Sequence, residues 1–153
     1  MDELSKEWTE LNPMETFNKI SEGPVDANIL SSLALSDCWF IRQAVAYHPN
    51  TQPEVLTKLS TDDHYLVRSS VAINGNTTKE VINSLKNDSH EIVIDYAKDY
   101  RDDFLRLVKQ QNEFFAVRHP GIWSWPSSWC RLRKIVLNTI KEKDPDFTTT
   151  HGI

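Results

Sequence analysis

Cys38, His64 and His90 recur at 26-residue intervals, and a thiol with two imidazoles is a residue set that can hold zinc. The interval argues against a shared ion. Equivalent residues of stacked helical units lie at least 8–10 Å apart, roughly the spacing of packed helices, whereas zinc ligands all sit about 2 Å from the metal. The plainer expectation is that the three are first-turn residues just after a helix N-cap. Cys130 belongs to no CxxC or Cys/His spacing, so both cysteines are expected reduced and buried and no metal or cofactor is expected. His48, His64, His90, His119 and His151 have no local carboxylate spacing that marks a general base, and GxSxG, HExxH, P-loop and GxGxxG motifs are absent. The chain therefore reads as non-catalytic.

Arg42 and Arg68 share the same interval. They could face an anionic ligand or partner, or each could bond a turn carboxylate; Asp62 and Asp63, five or six residues before Arg68, offer the second role. A further cluster lies in "VRHPGIWSWPSSW", where Trp123, Trp125 and Trp129 are surrounded by Arg118, Arg131, Arg133 and Lys134. Two readings stay open for it. The tryptophans could cap the end of a helical stack, or together with the basic residues they could form a recognition surface, since Trp and Arg are enriched where partners bind.

The elements that must position these residues are written in the repeat itself. Residues 26–51 align with 52–77, and more loosely with 78–103. Leu30/Leu56, Leu33/Leu59, Asp37/Asp63, Arg42/Arg68, Val45/Val71, Ala46/Ala72, Asn50/Asn76 and Thr51/Thr77 are identical. Thr51 with Glu54, and Thr77 with Glu80, have the spacing of capping boxes, which predicts a helix starting at each. Each such helix carries a one-sided stripe, Val55, Leu56 and Leu59 or Val81, Ile82 and Leu85. A second helix is expected after Asp37, Asp63 or Ser89 as N-cap, ending near Asn50 or Asn76. Two short amphipathic helices cannot bury their stripes alone, so the hairpins should stack, with Ala46 and Ala72 allowing close approach. "NPMETFNKI" at 12–20 follows the same grammar and predicts a leading helix over the end of the stack.

The string "TQPEVLTKLSTDDHYLVRSSVAINGNT" resembles the leucine-rich repeat variant, a HEAT-like repeat family, over about residues 26–97. The resemblance implies an all-α, short right-handed α-solenoid of helical hairpins that serves as a binding scaffold. It also implies that the repeated Arg bonds a turn carboxylate. One founding member type carries an iron–sulfur cluster on N-terminal cysteines; those cysteines are missing here, so that cofactor is not carried over. The expected organisation is one domain: capping helices at 1–25, three repeats at 26–103, C-terminal capping helices with the Trp-rich loop at 104–147, and a tail at 148–153. In the C-terminal part, Phe104, Leu107, Val108, Gln111 and Phe115 fall on one helical side, as do Trp129, Leu132, Ile135, Val136, Thr139 and Ile140.

Charge narrows the partner class. The net charge is −5, but residues 1–103 hold 9 Lys/Arg against 18 Asp/Glu while 104–153 hold 8 against 4. A long phosphate-binding track over the first two thirds is thereby disfavoured. The expected partner is another protein, gripped through a concave helical face bearing Arg42 and Arg68 and through the Trp/Arg-rich segment. Nucleic acid is the alternative, because HEAT-like folds include DNA-base excision enzymes with a basic groove; an acidic decoy of a DNA-binding protein is the weaker one. The opening residues lack a basic start followed by an apolar run, and no window approaches a membrane span, so a cytosolic place is expected.

Overall fold

A computed structural model describes residues 3–100 and 135–142 of the chain. Among them every regular element is helical: α1 (Glu3–Thr9), α2 (Pro13–Glu22), α3 (Ala27–Leu33), α4 (Trp39–Tyr47), α5 (Pro53–Leu59), α6 (Tyr65–Ile73), α7 (Lys79–Leu85), α8 (Glu91–Asp95), a π-helical turn Tyr96–Tyr100, and a helical segment at 135–142. The described residues are thus helical, as the sequence implies. No helix among the described residues is long and apolar enough to cross a membrane.

The two helices of a unit play different parts because their apolar patterns differ. In α5 only Leu56 and Leu59 are buried, and in α7 only Val81, Ile82 and Leu85, one stripe each. In α4 seven of nine residues are buried, Phe40, Ile41 and Gln43 to Tyr47, and in α6 the seven equivalents from Leu66 onward. A helix covered nearly all round must lie inside. The second helices α2, α4, α6 and α8 accordingly pack in sequence, and α3, α5 and α7 lie against them. Ala46 and Ala72 have no exposed surface, which fits the close approach of α4 and α6. Val136 and Ile140 from 135–142 join the same core.

The helix starts differ from the expected ones by a residue. Asn12 and Glu15 do form a capping box, each side chain accepting the other's backbone N–H at 2.9 Å. Thr51 and Thr77 do not. The N-cap of α5 is Gln52, with no side-chain bond, and that of α7 is Thr78. Thr51 and Thr77 instead turn backwards: their hydroxyls donate to the carbonyls of Val45 (2.5 Å) and Val71 (2.7 Å) in the last turn of the preceding helix. Both are buried, so each hydroxyl finds its acceptor in a carbonyl that also accepts the backbone N–H of His48 (3.1 Å) or Asn74 (3.2 Å), and no buried donor is left unpaired. Likewise the N-caps of α4, α6 and α8 are Cys38, His64 and His90, not Asp37, Asp63 and Ser89.

At the third unit the pattern changes. Tyr96 stands where Ala44 and Ser70 stand in the earlier units, and the helix widens into a π-helical turn there.

Candidate interaction surface

The cap residues of the second helices do more than start them. His64 and His90 each accept the backbone N–H two residues on through Nδ1, at 3.3 Å. Their rings then lie flat on the aromatic residue that opens the previous unit's second helix. Trp39 stacks on His64 with centroids 3.8 Å apart and planes 1° from parallel, and Tyr65 stacks on His90 at 3.9 Å and 4°. His64 and Tyr65 neighbour each other at 5.1 Å and 16°. The result is a row of four half-buried rings running across three units. The imidazoles are spacers in a stack, and Cys38 lies at its end, half-buried rather than enclosed. Burial pushes the Cys38 thiol up, with the Ile41 and Phe40 N–H groups and Arg42 pulling the other way. A protonated thiol is a poor nucleophile.

Beside this row run the repeated arginines. Arg42 binds Asp62 of the next unit through both carboxylate oxygens, Nε to Oδ2 at 2.7 Å and Nη2 to Oδ1 at 3.1 Å, and Nη1 donates to the Ser36 carbonyl. Arg68 repeats this with Asp88 at 2.8 and 3.0 Å. The intra-unit carboxylate expected for Arg68 is not its partner: Asp62 and Asp63 offer it backbone carbonyls instead. Both guanidinium groups are therefore clamps between successive units. The Asp62 hydrogen bond holds Arg42 above its ordinary pKa, against the pull of burial. For Asp88 burial works upward, but Arg68 and the His90 N–H outweigh it and keep the carboxylate below its usual range.

The opposite ends of the second helices carry a third device. Asn74 Nδ2 donates to the carbonyls of Ala46 and His48, both at 2.9 Å, and Asn76 Nδ2 to those of Pro49 and Thr51. One unit earlier His48 Nε2 meets Gly23 O at 2.9 Å and Asn50 Nδ2 reaches Val25 O at 3.2 Å. Asn50 N donates to His48 Nδ1, which puts the ring proton on Nε2. The repeated Asn is thus a rung between successive turns, with helix termination only part of its role.

On the outer side, Leu35 is 80% exposed and borders a groove of about 470 Å³ between α3 and α5, lined also by Ala34, Val55 and Leu59. Arg118, Trp123, Trp125, Arg131, Arg133 and Lys134, like Cys130 and the tail, lie outside the described residues. Spacing alone did not point to the row of rings. The signal was present in the Trp39/Tyr65 pairing immediately after Cys38 and His64, but its meaning depends on which residue the next unit places opposite.

Comparison of the chain with protein-family models, with curated proteins and with solved structures finds no match.

Proposed function

We propose that the chain is a non-catalytic module that binds another protein, built as a short HEAT-like solenoid of the leucine-rich repeat variant type and working in the cytosol. The observation that carries this reading is the row Trp39, His64, Tyr65 and His90, half-exposed along one edge of three successive units. Large rigid rings lose little entropy when a partner covers them, and Trp and Tyr are over-represented among residues that dominate binding. Leu35 and its groove add apolar area. In this reading Arg42 and Arg68 act by fixing the units that carry the row. Arg118, Trp123, Trp125, Arg131, Arg133 and Lys134 form a second contact region on the strength of their composition.

The test is affinity capture from host lysate with the tagged full chain, comparing Trp39→Ala, Trp39→Tyr and the Trp123→Ala/Trp125→Ala pair. Trp39→Tyr installs the residue of the next unit and should keep the stack. A specific protein captured by the unmodified chain and lost with Trp39→Ala, in a variant whose circular dichroism is unchanged, supports the reading. Undiminished capture by a folded Trp39→Ala chain overturns the role of the row. Retention on heparin that is lost on charge reversal of Arg131, Arg133 and Lys134 would replace it with nucleic-acid binding.

A further inference from the structure

Asn74 and Gly75 form the one Asn-Gly dipeptide of the chain, and this pair carries a reactivity that its packing role leaves unused. A side-chain amide followed by glycine is open to attack by the next backbone nitrogen, which no side chain shields. The Gly75 nitrogen bonds to Asn74 Cγ, the Cγ–Nδ2 bond breaks, and Nδ2 leaves as ammonia with the proton from the Gly75 amide. Water then opens the resulting succinimide at one carbonyl or the other, giving aspartate or isoaspartate. Water is the only co-reactant.

In the folded molecule the amide is held off that path from both sides. Asn74 is 2% exposed. Its Nδ2 is fixed by the carbonyls of Ala46 and His48 in the preceding unit, and its Oδ1 accepts the Asn76 N–H at 2.9 Å. Rotation of the carboxamide toward Gly75 N requires breaking these bonds, and the first two exist only while the second unit sits on the first.

We propose that Asn74–Gly75 is a self-modification site, silent while these two units are docked and active once they part. The product cannot restore the contact. Aspartate turns a carboxylate toward two carbonyl oxygens with no donor between them, and isoaspartate lengthens the main chain by a methylene at position 74, which is buried. A transient opening is thereby made permanent.

The experiment incubates the full chain at mildly alkaline pH, in native buffer and in urea sufficient to unfold it, and follows the conversion of Asn74 to aspartate and isoaspartate together by peptide mass mapping. Conversion is expected at least about tenfold faster in urea, because protection scales with the population of the open form. After urea removal the converted fraction should melt lower than the unconverted one. Asp62→Ala weakens the docking of the same two units without touching Asn74, and should raise conversion in native buffer. Equal rates in native buffer and urea, no conversion in urea, or a native rate unmoved by Asp62→Ala would each overturn the proposal.

Discussion

Thr51 and Glu54 have the spacing of a capping box, yet the hydroxyl serves the helix before it rather than the helix after it. Pro53 at the first helical position already sets the backbone for α5, while the Thr51 hydroxyl, buried against the end of α4, has no water to donate to. The buried hydroxyl therefore takes the second lone pair of the Val45 carbonyl, which already accepts the His48 N–H. Thr51→Val keeps the shape and removes the donor while the Val45 carbonyl retains the His48 N–H, so urea titration should show a loss of about 1 kcal/mol. Glu54→Ala should move stability by less than about 0.5 kcal/mol, in contrast to Glu15→Ala, which breaks a real box and should cost about 1 kcal/mol. His48 gives a pH signature. Burial lowers its pKa, with the Gly23 carbonyl opposing, so the unfolded chain binds the proton more readily. Its stabilising contribution is complete above the ordinary imidazole value of about 6.5 and declines as pH falls below it. His48→Asn, which copies position 74, should lose less stability than the unmodified chain between about pH 7 and 5 in paired thermal melts. Asp88 adds a second acid step of the same sign, beginning near the free carboxylate value of about 4.

Between elements, the decisive contacts are those joining one second helix to the next. The Arg42–Asp62 pair is mostly sheltered, with side-chain exposures of 19% and 8%, and Asp62 Oδ1 also accepts the His64 N–H. Asp62→Ala leaves a half-buried guanidinium without its carboxylate and the N–H of His64, the N-cap of α6, without its acceptor, and denaturant titration should show a cost of about 2–3 kcal/mol. How far this was legible divides along one line. Features within a unit follow from the chain: two amphipathic stretches, the buried Leu56, Val71 and Ala72, and the turn at Asn74–Gly75. Features between units do not, because the partners sit at offsets the 26-residue period fails to indicate. Arg42 meets Asp62 20 residues on, Trp39 meets His64 25 on, and Gln43 meets Ser70 27 on. The period says which residues are equivalent; only the docking of α4 on α6 says which ones face each other. The same ignorance made Cys38, His64 and His90 look like a possible metal set rather than spacers in a ring stack.

At the scale of the molecule, α4 and α6 each pack more extensively on the second helices either side of them than on the first helix of their own unit. A second copy of residues 52–77 inserted after Thr77 would supply an Asp for Arg68, a His for Tyr65 and an Asn side chain for the new turn. Such a chain should fold, with a steeper urea dependence than the parent because more surface is exposed on unfolding; failure to fold would show that the ends, rather than the interfaces, dictate assembly. α4 and α6 run side by side in the same direction, clamped at their starts by Arg42–Asp62 and Trp39–His64 and at their ends by Asn74 with the Ala46 and His48 carbonyls. A pair of rods riveted at both tips has no freedom to slide. Shear would have to rupture both sets of rivets at once, whereas a pull normal to the rods lifts one tip before the other, so under mechanical load this chain should peel rather than slip.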